Sequence, residues 1–129
     1  MSDNRVYLFD STLRDGAQTT GIDLSTADKV AIAQELDRLG IDYIEGGWPG
    51  ANPTDNAFFE APPKLATSKL VAFGMTRRAG RSKENDPGLK AMLGAGTRTV
   101  CMVGKTWDFH VKAALGIENA ENVSKIADS

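Results

Sequence analysis

Apolar residues gather in four short runs, at residues 6–9, 43–44, 70–73 and 99–103, and each run is followed by glycine or polar residues and then by helical spacing. Strand, loop and helix are therefore expected to alternate. Between the first two runs, Ser25 can cap a helix with Asp28 three residues on, Ile32, Leu36 and Leu39 share one face, and Gly40 supplies the stop. Apolar strands joined by helices of this length imply right-handed crossovers and a parallel sheet covered on at least one face. Further along, Asp86 can cap a segment with Pro87 in its first turn, with Leu89 and Met92 on one side and Gly94 and Gly96 closing it. Asp108 can open a fourth helix through Val111 and Leu115. From Glu118 another is expected, with Asn122, Lys125 and Asp128 on its polar side. Residues 77–86, polar and glycine-containing, read as a mobile loop.

A chain of 129 residues holds one domain or a piece of a larger one. With 41% hydrophobic and 25% charged residues its composition is that of a globular chain, which excludes fibrous and disordered classes. Lys and Arg number 15 against 17 Asp and Glu, a net charge of −2, so nothing is in excess to neutralise a phosphate backbone and nucleic acid is not an expected partner. No apolar run approaches the roughly 20 residues that cross a bilayer, and residues 1–10 lack the apolar stretch of a signal peptide. A cytoplasmic protein without membrane partners is expected. The single cysteine, Cys101, cannot form an internal disulfide and sits in an apolar run, which suits a buried thiol in a reducing compartment.

The densest chemistry lies at residues 9–18, F-D-S-T-L-R-D-G-A-Q, where an apolar strand ends in Asp10, Thr12, Arg14, Asp15 and Gln18 around a glycine. In parallel α/β architectures ligand chemistry collects at the carboxyl ends of strands, where loops converge. Arg14 can hold an oxyanion or carboxylate with its forked donors, Asp15 can give a hard oxygen to Mg or Mn, and Gln18 can hydrogen-bond a polar substrate. On residue types alone, an Arg–Asp ion pair with Asp10 or Thr12 fixing the turn is the plainer alternative, because structural ion pairs outnumber sites.

The run D-S-T-L-R-D-G-A-Q at residues 10–18 resembles the signature of the acyl-CoA-dependent synthases and lyases called DRE-TIM metallolyases. These include 2-isopropylmalate, homocitrate and citramalate synthases and 3-hydroxy-3-methylglutaryl-CoA lyase. The likeness continues through I-E-G-G-W-P-G-A-N-P-T-D at residues 44–55, F-G-M-T-R-R at 73–78 and G-K-T-W-D-F-H-V at 104–111. Together these segments resemble the citramalate synthase and 2-isopropylmalate synthase family over nearly the whole chain. The resemblance implies a (β/α)8 TIM barrel, typically about 250 residues, of which residues 1–129 would be the N-terminal half of the HMGL-like (pyruvate carboxyltransferase-type) catalytic domain, about the first four βα units.

The same resemblance implies an acyltransferase of branched-chain amino-acid (isoleucine or leucine) biosynthesis. It would condense acetyl-CoA with a 2-oxo acid, pyruvate to citramalate ahead of 3-methyl-2-oxobutanoate to 2-isopropylmalate, using divalent Mg or Mn. Carried over to this sequence, Asp15 would be a metal ligand, Arg14 would stabilise charge developing on the substrate carbonyl or enolate, and Gln18 would orient the bound acids. The family's metal site also uses an H-x-H pair on a late strand, whereas His110 is the only histidine here. The expected general base and most acetyl-CoA contacts also belong to later segments. The chain thus resembles an N-terminal fragment, inactive alone. A carbon-carbon lyase of the 3-hydroxy-3-methylglutaryl-CoA lyase type and a non-catalytic half-barrel are the alternatives.

Other residues have two readings each. Glu45 at the end of the second strand can hold the Arg14 fork or make an ordinary strand-end ion pair. His110 stands where related synthases carry a substrate-contacting histidine, against a packing or capping role. Arg77 and Arg78 can attract an acidic substrate or a CoA phosphate, or belong to a solvated loop. Trp48 and Trp107 can wall a pocket or fill a core or interface. Half a barrel would leave the runs at 6–9 and 99–103 as open edges, with Leu8, Ile44, Val71 and Val100 or their neighbours facing inward to water. Self-association of the chain is expected on that ground, and the resemblance implies a homodimer for the full-length enzyme.

Overall fold

A computed structural model describes residues 4–129. The Ser25 hydroxyl accepts the Asp28 N–H at 3.2 Å while the Asp28 carboxylate accepts the Ser25 N–H at 2.9 Å, a reciprocal cap that satisfies two amides otherwise left without partners. From it α1 runs over Thr26–Leu39 and ends at Gly40, whose φ of 89° is a left-handed conformation open to glycine. Helices α2 (Pro53–Glu60) and α3 (Pro87–Gly94) start the same way. The Asn52 and Asp86 side chains accept the N–H three residues ahead, at 2.8 and 2.9 Å, and each helix has proline in its first turn, where no N–H is missed.

Strands β1 (Phe9–Asp10), β2 (Tyr43–Gly47), β3 (Lys69–Met75) and β4 (Thr99–Val103) form one parallel sheet in the order β1-β2-β3-β4. A doubly wound sheet reverses its strand order, and this one does not, so the succession is that of a partial TIM barrel. One face of the sheet packs on the helices. Ile44 and Ala72 from the strands meet Ala33 of α1, Phe58 of α2, and Leu89 and Met92 of α3 in one buried cluster. Each large apolar side chain in it stabilises the fold by about 1.5–3 kcal/mol. Alternation along the strands sends their other residues to the opposite, concave face, where Val71 lies in register with Glu45 and both are buried.

Several expectations are corrected. The first strand is Phe9–Asp10 rather than residues 6–9, because at Leu8 the ladder is half made: its carbonyl accepts the Tyr43 N–H at 3.0 Å, but its N–H turns to the Asp42 side chain at 2.9 Å. Leu39 is exposed. Ile32 and Leu36 do pack against the core, but Leu39 is the last residue of α1 and lies beyond it. Ile44 faces the helices, and Val71 is buried, so the concave face is less open to water than expected. Leu8 and Val100 do remain exposed. The fourth helix is one turn, α4 (Asp108–His110), which widens into a π-helical turn over Val111–Leu115 and closes at Gly116.

The largest correction concerns the last helix, α5 (Asn119–Asp128). Asn122 and Lys125, expected on its polar side, are buried at 5% and 2% exposure, whereas Val123 is 65% exposed. Helix α5 is held by polar ties: Asn122 Nδ2 donates to the Lys105 carbonyl at 2.7 Å, and Asp128 accepts from Arg77 Nε at 2.7 Å. That second tie also fixes one end of residues 77–86. The segment expected to be a mobile loop contains a 3-10 turn (Lys83–Asn85) and ends in the buried Asp86, whose carboxylate accepts the Arg78 N–H at 2.7 Å.

Candidate active site

Strand β1 ends at Asp10, and the chain turns at once. Asp10 accepts both the N–H and the hydroxyl of Thr12 at 2.9 Å, and three successive amides, those of Arg14, Asp15 and Gly16, converge on the Ser11 carbonyl. Leu13, with no exposed surface, pins the turn to the core. Arg14 and Asp15 are thereby placed at the carboxyl ends of β1 and β2, and Asp15 leads into a 3-10 turn, Gly16–Gln18.

Arg14 is held on three sides. Its Nε donates to Glu45 Oε2 at 2.8 Å, its Nη1 lies 3.3 Å from Asp15 Oδ1, and its guanidinium sits 4.1 Å from the centroid of the Phe73 ring. Glu45 is 1% exposed, so this pair is largely withdrawn from water on the carboxylate side. A planar fork fixed by a buried carboxylate and a ring face keeps one orientation. Its Nη2 has no hydrogen-bond partner among the described residues and is available to an anion or developing oxyanion.

Of the residues singled out from the sequence, Arg14, Asp15 and Glu45 come together. Asp10 stands one turn back and shapes the loop. Gln18 follows on the 3-10 turn with its side chain exposed and its N–H bonded to the Asp15 carbonyl at 3.0 Å. His110 makes no contact with this cluster; its ring packs at 4.5 Å from that of Trp107 in an exposed group that includes Phe109. The two tryptophans diverge, since Trp48 meets Phe73 edge-on at 5.2 Å beside Arg14. Arg77 is drawn into its pair with Asp128 rather than solvated.

Two participants were not read from the sequence as residues of the site. Phe73, the platform under Arg14, is the first residue of the F-G-M-T-R-R segment, and only the register that puts it on the concave face reveals its role. Cys101, in register with Phe73, is half-buried rather than buried. Burial first, and then the Glu45 carboxylate beside it, push its thiol above the ordinary range, so it is a neutral neighbour rather than a nucleophile. Behind the site, the ammonium of buried Lys29 pairs with Asp55, which also accepts the Trp48 N–H at 2.8 Å and the Asn52 side-chain amide at 3.1 Å. This fixes the loop that carries Trp48.

A divalent metal takes about six oxygen ligands. Asp15, 68% exposed, has a carboxylate oxygen free to serve as one, but the described residues contain no group of three or more His, Cys, Asp or Glu able to hold a metal ion. Among the described residues Glu45 Oε1 is a buried acceptor with no hydrogen-bond partner. The described residues therefore do not by themselves form a metal site. No helix among the described residues is long and apolar enough to cross a membrane.

Residues 5–129 match the HMGL-like family, so the chain that builds this parallel sheet and its arginine–carboxylate cluster belongs to it. Among its relatives, it is 52% identical over 128 residues to an (R)-citramalate synthase of Synechocystis sp., an alignment covering 96% of this chain and 23% of that protein. The (R)-citramalate synthase of Aquifex aeolicus is 46% identical over 97% of the chain and 24% of its own length, and a 2-isopropylmalate synthase of Solidesulfovibrio magneticus 34% identical over 88% and 21%. The chain thus spans about a quarter of the length of the relatives it matches. A crystal structure of hydroxymethylglutaryl-CoA lyase from Pseudomonas aeruginosa superposes with a TM-score of 0.70 at 19% identity, over 95% of this chain and 40% of that one, which shows a shared fold.

Proposed function

We propose that the chain is the amino-terminal part of a divalent-metal-dependent acyltransferase that condenses acetyl-CoA with pyruvate to give citramalate. The observation that carries this reading is the order of the relatives. Identity to (R)-citramalate synthases is 43–52% over 96–98% of the chain, against 34–40% to 2-isopropylmalate synthases over 70–96%.

In that reaction the methyl group of acetyl-CoA loses a proton, the enolate carbon bonds to C2 of pyruvate, and the carbonyl oxygen becomes an alkoxide that takes up a proton. Water then cleaves the thioester to a carboxylate and free coenzyme A. Negative charge twice gathers on an oxygen. Arg14 suits this task because Glu45 and Phe73 hold its fork before substrate arrives, so little reorganisation is left for the moment of reaction. A bound metal ion would polarise the carbonyl of the 2-oxo acid. Asp15 would be one of its ligands and Gln18 would orient the acids, while the described residues leave the remaining ligands and the general base unassigned. In this reading the 129-residue chain does not turn over substrate alone, and the full-length enzyme is a homodimer.

The test is release of free thiol from acetyl-CoA by the full-length protein, with pyruvate and 3-methyl-2-oxobutanoate offered in turn. Release that depends on pyruvate is expected. Release with 3-methyl-2-oxobutanoate alone would assign the 2-isopropylmalate reaction instead, and cleavage of 3-hydroxy-3-methylglutaryl-CoA without condensation would assign a lyase.

A further inference from the structure

The sheet ends in two strands that are built like inner ones. Among the described residues β1 pairs only with β2 and β4 only with β3, so each keeps one side of its backbone without a strand partner. Natural edge strands are commonly guarded by Lys or Pro. These two are not: the runs V-Y-L-F at residues 6–9 and V-C-M-V at 100–103 hold no charge and no proline. Val6, Tyr7, Leu8 and Phe9 are each more than half exposed, and Val100, Met102 and Val103 more than a third. An unbroken apolar run is the pattern of a parallel strand covered on both faces.

The two runs also match face by face. Tyr7 and Phe9 lie on the concave face, since their rings stand 6.2 and 6.5 Å from that of Tyr43, the chain neighbour of the helix-facing Ile44. Leu8, between them, points to the helix side. On β4, Val100 is in register with Ala72 of the buried helix-side cluster, while Cys101 and Val103 are in register with Phe73 and Met75 on the concave face. A parallel seam between β4 and a β1 therefore sets Leu8 beside Val100 and Met102 on one face, and Tyr7 and Phe9 beside Cys101 and Val103 on the other.

Both edges belong to one molecule whose strands all run the same way, and four strands in barrel order are half of the eight that close a TIM barrel. We propose that two copies of the chain associate about a two-fold axis along the barrel, β4 of each pairing in parallel with β1 of the other, into one eight-stranded barrel. This arrangement covers all the open edges, whereas a β4–β4 or a β1–β1 pair leaves two of them open. The seven exposed apolar residues of the two runs amount to roughly 600 Å² in each copy, so the two seams together bury on the order of 1,200 Å², the lower end of what a specific interface needs. The inference concerns the assembly of this chain and does not depend on the condensation reading.

The experiment is sedimentation velocity of the 129-residue chain at micromolar concentration, where one species of about twice 13.8 kDa is expected. Leu8→Lys on β1 and Val100→Glu on β4 change exposed positions, so each variant should still melt cooperatively. Each nevertheless places a charge in both seams and should weaken the dimer by roughly tenfold or more. Mixing the two variants should restore a dimer, because one seam then carries no substitution and the other sets the introduced lysine against the introduced glutamate. Glu60→Lys, at the exposed end of α2, leaves association unchanged. If either edge variant fails to melt cooperatively, Tyr7→Lys and Val103→Glu, on the other face of the same strands, replace the pair. Loss of the dimer through the β4 substitution alone, with no recovery on mixing, assigns a β4–β4 pair and overturns the proposal. A parent chain that sediments as a monomer, or as assemblies larger than a dimer, overturns it as well. Thiol release by the full-length protein is a separate readout, so this assembly can fail while the condensation reading stands.

Discussion

Around β2 and β3 the charged groups that leave water have charged partners, Glu45 with Arg14 and Lys29 with Asp55, and the large apolar side chains lie beneath them. Around β4 and α5 the arrangement is turned over. Among the described residues Lys125 is buried without a paired carboxylate and Asn122 Oδ1 has no hydrogen-bond partner, while Val100, Met102, Val123 and Ile126 are each more than a third exposed. The first region is organised by burial and charge pairing that reinforce each other. The second is held by a few polar ties and presents apolar surface outward, the state of a surface that gains stability from whatever docks on it.

The contrast breaks most visibly if the buried pair is cut. Lys29→Ala leaves Asp55 buried without its cation and should cost about 3–5 kcal/mol, read as a loss of midpoint in urea unfolding. Gly47→Ala follows at about 3 kcal/mol. Gly47 has a φ of 150°, and an added Cβ would lie 2.6 Å from Asp55 Cγ and 2.8 Å from the Lys29 ammonium. A loss below about 1 kcal/mol for either, within the range of ordinary surface changes, would show that this region is not the stable one.

Acid sharpens the same comparison. The Asp37 carboxylate accepts the N–H groups of Ala66, Ser68 and Thr67, tying α1 to the start of β3, and these bonds hold its pKa far below the ordinary carboxylate range. A folded-state pKa below the unfolded one means that the contribution is complete above the unfolded value, near 3.9 for aspartate, and is lost as pH falls through the folded value. Urea midpoints measured from pH 7 downward should therefore fall more steeply below about pH 4 in the parent chain than in Asp37→Asn. Parallel curves would contradict this.

The smallest effect on stability belongs to the exposed side of β4. Val100→Lys should change unfolding free energy by about 0.5 kcal/mol or less. It should nonetheless shift sedimentation toward the 13.8 kDa monomer, because exposed apolar residues on an edge strand invite pairing with another copy. A parent chain that is already monodisperse and monomeric would rule out association through β4.

Most of the first region was legible in the sequence because its signals are local. Ser25 and Asp28 are three residues apart, Gly40 stops what they start, and Asp10 to Gln18 is one continuous turn. The pairing of Arg14 with Glu45 was legible only as one of two readings, since 31 residues separate them and parallel register decides the contact. Lys29 carries no local sign of burial: its partner Asp55 belongs to a different helix, 26 residues away. The polarity of α5 was read backwards for a related reason. Amphipathic spacing tells which faces differ and not which one turns inward, and here the Lys105 carbonyl and Arg77 drew the polar face in.

Native-state hydrogen exchange tests the central contrast most directly, since it reads opening free energy element by element. The amides of β3 at residues 71–73, buried between β2 and β4, are expected to exchange only through global unfolding, and those of α5 far faster, through local opening that leaves β2 and β3 intact. Equal protection of α5 and β3, lost together in one cooperative step, would contradict the division of the molecule into a self-sufficient site region and a loosely held flank.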